Sequence, residues 1–380
     1  MEENTCIIAH YHEIALKGKN RAFFEKALLF NIKKQAHGLY ISAERVSGRI
    51  VIYVKKEKRK ELAERLGYVF GVHHIEIGVV TSADADAIKE KAREIFSKKE
   101  KAPFRVSASR AEKKYPFTSH DLEKEIGAVI HEEFGFPVSL ERPEIILRIE
   151  VVEHKAYLLT ERVEGLGGLP VGVSGKVIVL LSSGFDSPIA SLLMMKRGCI
   201  PVLVHFHSYP YTSKDSLENV RKLRDVISEY SPTQLLLHEI PLSDIQQYIV
   251  TKAPSEFRIV LYRRWMLWIA ERIAEKEKAL VLVTGDSVGQ VASQTLENIR
   301  TVSEIATLPI LRPLAGLDKE EIIERAKKYR TYDISKLPYD DCCSLFVEGS
   351  PRTKTYIEEI KKIEDPLRKA LEEKALKALE

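Results

Sequence analysis

Four short aliphatic runs constrain this chain more than anything else in it: VIVLLS at 177–182, PVLVHFHS at 201–208, QLLLHEIP at 234–241 and ALVLVTG at 279–285. Each is too short for a helix and lacks strand-type alternation, so each reads as a strand buried on both faces. Stretches of helical spacing separate them. Together they predict an α/β fold with a doubly wound parallel sheet, which holds its ligand beyond the carboxyl ends of the strands, where a turn feeds a helix.

The first run enters such a turn. In SSGFDS, Ser182, Ser183 and Gly184 can present backbone N–H groups, the following helix adds its positive end, and Ser182 and Ser187 offer hydroxyls to phosphate oxygens. Asp186 would repel a bare phosphate and makes sense there with a Mg²⁺ ion between the two. The plainer alternative is a serine-capped helix behind a glycine turn. No GxxxxGK[ST] is present, so a Walker loop is excluded. Two more stretches fall where a nucleotide site would need them. In VLVTGDSVGQVASQTLENI, Gly285 permits close approach, and Gln290 and Gln294 can read a base or ribose edge. FRIVLYRRWMLWIAERIA is a helix with Arg263 and Arg264 near its start, a pair that reads equally as a surface ion pair. Lys319, at the start of a helix in PLAGLDKEEII, is either a solvated lysine or a phosphate contact.

Ahead of the aliphatic runs lies the Gly/Pro-rich stretch EGLGGLPVGVSG at 164–175, read as a linker. Before it, CIIAHYHEIAL and RIVIYVKK read as strands around the helix NRAFFEKALLFNIKKQA. From Leu66 on, GVHHIEIGVVT and FRVSASRA read as strands, DADAIKEKAREIFSKK and SHDLEKEIGAVIHEEFG as helices, and EIILRIEVVEHKAYLLTERV as a hairpin. This is the pattern of small α+β units with helices on one sheet face. The expected divisions are 1–65, 66–165 and 166–380, the last ending in a charged helical segment.

At 380 residues, 44% of them hydrophobic and 30% charged, the chain is long enough for two or three globular domains. No apolar run approaches the roughly 18 residues of a membrane span. The N-terminus lacks a basic-then-apolar leader pattern, and the expectation is a cytoplasmic protein without a membrane partner. Residues 1–60 carry 13 Lys/Arg against 6 Asp/Glu, a surplus that suits a polyanionic partner. The four cysteines form no disulfide framework. In PYDDCCSLF, Asp340 and Asp341 precede Cys342 and Cys343 and would raise a thiol pKa, so these are not activated nucleophiles by local charge alone. A persulfide sulfur would need less activation, and an apolar pair at a turn is the alternative. No CxxC or histidine pair completes a zinc site there, and Cys199 is the one further sulfur an iron–sulfur cluster could draw on in this region.

SSGFDS resembles the SGGxDS pyrophosphate loop of ATP pyrophosphatases, with Ser183 where glycine is usual. With EIALKGKNR at 13–21, FRVSASRAEKKYPFTSHDLEKEIG at 104–127, GLGGLPVGVSGKVIVLLSSGFDSP at 165–188, TGDSVGQVASQT at 284–295, RPLAGLDKEEI at 312–322 and PYDDCCSLF, nearly the whole chain resembles the tRNA 4-thiouridine synthetases, the tRNA sulfurtransferase family. That resemblance implies a ferredoxin-like domain, a THUMP RNA-binding domain and a pyrophosphatase-loop domain. It implies that ATP with Mg²⁺ adenylates O4 of uridine 8 in tRNA and that sulfur then displaces AMP. Asp186 and Lys319 would serve activation, and Cys343 rather than Cys342 would carry the sulfur. Leu180, Leu181, Ser182, Gly184, Ser187, His205, Phe206, Arg263, Gly285 and Gln294 would bound the nucleotide. Arg105, Arg110, Lys113 and Lys114 would meet tRNA phosphates. His12 and Asp286 stand where the family usually has glycine and glutamate, and neither is expected to touch the chemistry. Too few residues follow Cys343 for the rhodanese-like domain some members append. The expected sulfur donor is therefore sulfide or a separate cysteine desulfurase. A homodimer is expected if one tRNA reaches THUMP and active site on different subunits. The rival readings are another pyrophosphatase-loop enzyme, which would leave residues 1–165 unused if it acted on small molecules, and an RNA-binding module with a degenerate nucleotide fold.

Overall fold

The computed structural model describes residues 5–111, 115–338, 342, 345–347 and 351–380. The chain divides into two compact units, one up to Pro170 and one from Val171 onward.

The first unit is built on one seven-stranded sheet. Its strands are β1 (Thr5–His10), β2 (Ser42–Val46), β3 (Arg49–Tyr53), β4 (His74–Ser82), β5 (Phe104–Arg110), β6 (Ile145–Val152) and β7 (Lys155–Glu164), in the order β2-β3-β1-β4-β7-β6-β5. Only β5 and β6 pair parallel. Helices α1 (Arg21–Gln35) and α2 (Arg59–Gly67) bury Leu28, Ile32, Leu62 and Leu66 against one half of a sheet face. Helices α3 (Ala85–Phe96) and α4 (Ser119–Phe134) bury Ile88, Phe96, Ile126 and Ile130 against the other half. A bulge in β4 between Ile77 and Gly78 marks the changeover between the two cores. A side chain at Gly78 would meet the Leu158 carbonyl oxygen at 1.9 Å, so glycine is obligatory there. The stretch expected to run as a strand through HEIAL ends at His10 instead. His10 pairs with His74, the first residue of β4, so no partner strand remains beyond it. The backbone of Glu13–Asn20 folds into 3₁₀ turns, and Gly18, at φ 52°, bends it toward α1.

The second unit has five parallel strands: β8 (Lys176–Leu180), β9 (Ile200–His207), β10 (Leu237–Pro241), β11 (Leu282–Val283) and β12 (Ile310–Leu311). Their order is β10-β9-β8-β11-β12, so the winding direction reverses between β8 and β11. The crevice at their carboxyl ends is the place such a sheet offers a ligand. The helices are α5 (Asp186–Lys196), α6 (Asp215–Ser228), α7 (Ser243–Lys252), α8 (Arg258–Glu277), α9 (Leu296–Ser303), α10 (Lys319–Lys328), α11 (Tyr332–Ser335), α12 (Ile357–Glu364) and α13 (Arg368–Ala378). The charged C-terminal segment is two helices rather than one, because Pro366 in the turn Asp365–Leu367 cannot continue α12. The middle of α8 is buried all round, with Leu261, Tyr262, Trp265 and Ile269 in the core.

Candidate nucleotide site

At the reversal point the carboxyl ends of β8 and β11 and the start of α5 enclose a cavity of about 410 Å³. Leu180, Leu181, Ser182, Ser187, His205, Phe206, Arg263, Gly285 and Gln294 all line it, together with Asp186 and Cys342. Gly184 does not; its carbonyl accepts a bond from Ser335 Oγ at 3.1 Å. The turn is drawn tight by Ser187, whose hydroxyl accepts from the Ser182 N–H at 2.8 Å and lies 3.0 Å from Ser182 Oγ. Ser183 has no left-handed backbone, so serine in place of glycine introduces no strain. Its side chain is buried on the cavity wall, and Oγ has no hydrogen-bond partner. Gln294 Oε1 is likewise buried without a partner. Polar atoms left unpaired on a wall are what a bound polar ligand would satisfy.

The freedom expected of Gly285 is used for packing. A Cβ there would lie 2.7 Å from Ser187 N and 3.0 Å from the Asp186 carbonyl carbon. Only glycine lets the end of β11 abut the first turn of α5, which brings the two walls of the crevice together.

Asp186, the first residue of α5, holds both neighbours that face it. Lys319 Nζ donates to Oδ1 at 2.7 Å and Gln290 Nε2 to Oδ2 at 3.0 Å. Lys319 begins α10, where the helix dipole disfavours a cation, and Asp186 compensates. Lys319 Nζ also sits 5.4 Å above the Phe185 ring. Lys319 and Gln290 line a second cavity of about 400 Å³ formed by Ser287–Gln290 and Ala315–Lys319, so Asp186 stands where the two cavities meet.

The arginine pair on α8 divides its work, since adjacent helical residues point about 100° apart. Arg264 is fully buried and donates to both Glu364 oxygens, to Glu304 at 3.0 Å and to the Thr301 carbonyl. It is structural. Arg263 faces the cavity, with Nη2 on Asp286 Oδ1 at 2.5 Å and Nη1 on the Ser293 carbonyl at 2.9 Å. Asp286 lines the cavity beside Arg263. It also accepts from Thr284 Oγ1 at 2.8 Å and from Arg312 Nε at 3.2 Å. Burial would raise this carboxyl, but Arg263, Thr284 and Arg312 outweigh burial and hold it below the usual carboxylate range. One carboxylate between two guanidiniums leaves a net positive charge beside the cavity, suited to a polyphosphate. Sequence reading did not bring Asp286 into the site because its partner Arg312 directly follows β12, a two-residue strand with no pattern of its own.

His205, on β9, is buried, and burial pushes its pKa down to about 4. Nδ1 lies 2.9 Å from the Leu181 carbonyl, which only accepts, so Nδ1 carries the proton and Nε2 takes the Ser216 hydroxyl at 3.3 Å. The ring is thus a neutral wall that positions the loop. The Cys342 carbonyl accepts from Gln246 Nε2 at 2.6 Å. Cys343, Lys113, Lys114, Asp340 and Asp341 lie outside the described residues. In the first unit, Arg105 and Arg110 donate to loop carbonyls, Arg105 to Leu140 and Arg110 to Tyr115 and Phe117.

A parallel sheet with this loop and a cationic crevice at its reversal point defines an ATP-handling α/β domain of the pyrophosphatase-loop class. The family model described as "Thiamine biosynthesis protein (ThiI)" matches residues 172–368, and models for the ThiI ferredoxin-like domain and the THUMP domain match 6–75 and 82–161. The chain is 41% identical over 357 residues to a protein of Thermus thermophilus named "Probable tRNA sulfurtransferase", covering 94% of this chain and 88% of that one. It is 40% identical over 352 residues to a protein of the same name from Brevibacillus brevis, covering 92% and 88%. A crystal structure of a 4-thiouridine synthetase–RNA complex with bound ATP superposes with a TM-score of 0.90 at 37% identity, covering 99% of this chain and 98% of that one. The chain belongs to the ThiI family of tRNA sulfurtransferases.

Proposed function

We propose that this protein is an ATP-dependent tRNA sulfurtransferase that adenylates O4 of uridine 8 and replaces the resulting AMP with sulfur to give 4-thiouridine. The observation that carries the reading is the Asp186–Lys319–Gln290 group, set where a nucleotide-sized crevice meets a second cavity. Replacing a carbonyl oxygen requires a leaving group better than hydroxide. ATP in the larger cavity presents its α-phosphorus to O4 of a uracil entering by the second, and pyrophosphate leaves into the Ser182–Ser187 turn. Lys319 and Arg263 face the charge that develops on the phosphates. Asp186 shares its oxygens with Lys319 and Gln290 and is the carboxylate that would hold Mg²⁺ when Lys319 engages the phosphates; the ion would supply charge neutralisation there. Sulfide attacks C4 and AMP departs. When a desulfurase supplies a persulfide on Cys343, its terminal sulfur attacks C4 and expels AMP. A second thiol then attacks Cys343 Sγ in the resulting S–S bond to release 4-thiouridine, and an external dithiol reductant opens the disulfide left on Cys343.

In this reading the chain divides functionally at 1–65, 66–165 and 166–380. The basic N-terminal block with Arg105, Arg110, Lys113 and Lys114 meets tRNA phosphates, and the enzyme works in the cytoplasm as a homodimer. Ser183 was the one feature favouring a degenerate fold, and its unstrained backbone withdraws that support. The test incubates the protein with unmodified tRNA, Mg-ATP and sulfide or a cysteine desulfurase with cysteine, followed by nucleoside mass spectrometry. 4-Thiouridine is expected with the wild type and not with Asp186→Ala; Cys343→Ser should retain activity with sulfide and lose it with the desulfurase. A wild type that yields no thionucleoside with either donor refutes the assignment.

A further inference from the structure

On the helix-free face of the first sheet lies a cluster that the reaction does not use. His10 closes β1 directly opposite His74, which opens β4, and Glu76 shares their face two residues on. The two rings stack with centroids 4.5 Å apart. One donor atom from each of His10, His74 and Glu76 falls within 4.8 Å of the other two, the only such grouping among the described residues. His10 Nε2 lies 3.4 Å from Glu76 Oε2 and 3.6 Å from Glu150 Oε1, and it is buried without a hydrogen-bond partner.

The 3.4 Å separation of His10 Nε2 from Glu76 Oε2 matches the edge of a tetrahedron around a zinc ion, roughly 3.3 Å for bonds near 2.05 Å. The outer atoms of the donors are already held. Arg148 Nε lies 3.2 Å from Glu76 Oε1, and His73 Nδ1 lies 2.9 Å from His74 Nδ1. Such outer contacts orient metal ligands, and the Arg148 guanidinium, by offsetting the Glu76 carboxylate, weakens affinity for a cation.

We propose that His10, His74 and Glu76 form a three-residue binding site for a divalent ion of the zinc class that staples β1 to β4. Imidazole with carboxylate selects zinc and its first-row neighbours over magnesium or calcium.

The test takes the full chain without a histidine tag, stripped by a chelator and with accessible thiols alkylated so that cysteine-bound zinc is not counted. Zinc is titrated calorimetrically and melting is followed with and without it. The wild type should bind about one equivalent with a dissociation constant on the order of micromolar and melt several degrees higher with zinc. Glu76→Gln, which keeps shape and hydrogen bonding, and His74→Ala should each weaken binding at least about tenfold. His154→Ala, at an exposed histidine elsewhere, should bind as the wild type does. A folded wild type that takes up no zinc, or a Glu76→Gln protein that binds it equally well, overturns the proposal. Because the readout is metal binding and melting, the result is independent of sulfurtransferase activity.

Discussion

Asp286 is the residue on which the cationic side of the crevice turns, because Arg263 and Arg312 both lean on its carboxylate. With Asp286→Asn the guanidiniums lose their common anchor. We expect KM for ATP to rise at least about tenfold, a loss of roughly 1.4 kcal/mol in binding, with a smaller change in kcat, read by steady-state pyrophosphate release in the presence of tRNA. His205 makes a separate prediction about pH. Its folded-state pKa of about 4 lies below the ordinary histidine value of about 6.5, so between these values the unfolded chain binds a proton that the folded chain refuses. Stability from this group is complete above the upper value and falls as pH drops through the window, by about 3 kcal/mol at most. Urea unfolding at about pH 7 and pH 4.5 should therefore show a smaller acid loss in His205→Gln than in the wild type. The residual loss comes from other histidines held low by burial, His74 and His207.

Among the elements, the junction of β11 with α5 decides whether the site exists. Gly285→Ala would drive a methyl into the Ser187 backbone, which cannot rotate away. The first turn of α5 must shift, and with it Ser182, Asp186 and the bond to Lys319. A loss of about 1–3 kcal/mol in stability is expected, with ATP binding reduced far more than tRNA binding. Isothermal titration with each ligand separates the two; equal losses would point to global unfolding instead. The capping box of α10, in which Asp318 and Glu321 exchange bonds, fixes where Lys319 starts its helix and so supports the same contact from the other side.

At the scale of the molecule, the second unit is locked by a buried ion pair that joins its C-terminal helices to its core. Arg264 and Glu364 are both fully buried, with Nη2 and Oε2 2.7 Å apart. Burial alone would lower the Arg264 pKa, but Glu364 and Glu304 raise it. Glu364→Ala leaves that charge uncompensated and should destabilise the protein by about 3–5 kcal/mol. Thermal melting should fall by roughly 10 °C. The double change Arg264→Met with Glu364→Leu should recover most of the loss, because it removes the stranded charge as well as the pair.

The sequence by itself determined the parallel sheet, the loop at its first strand and the family, because short aliphatic runs and a small-residue turn are local patterns that survive without their neighbours. The same held for α1, α3, α4 and the β6–β7 hairpin, whose apolar spacing is continuous. It could not determine β2 and β12, in which few side chains are fully buried and pairing alone makes the strand. Nor could it separate the roles of Arg263 and Arg264, since the partners that distinguish them lie 23 and 100 residues away. Asp286, the packing role of Gly285 and the cluster of His10 with Glu76 were decided only by tertiary structure. Each depends on distances between strands that are remote in sequence, and no local pattern encodes them.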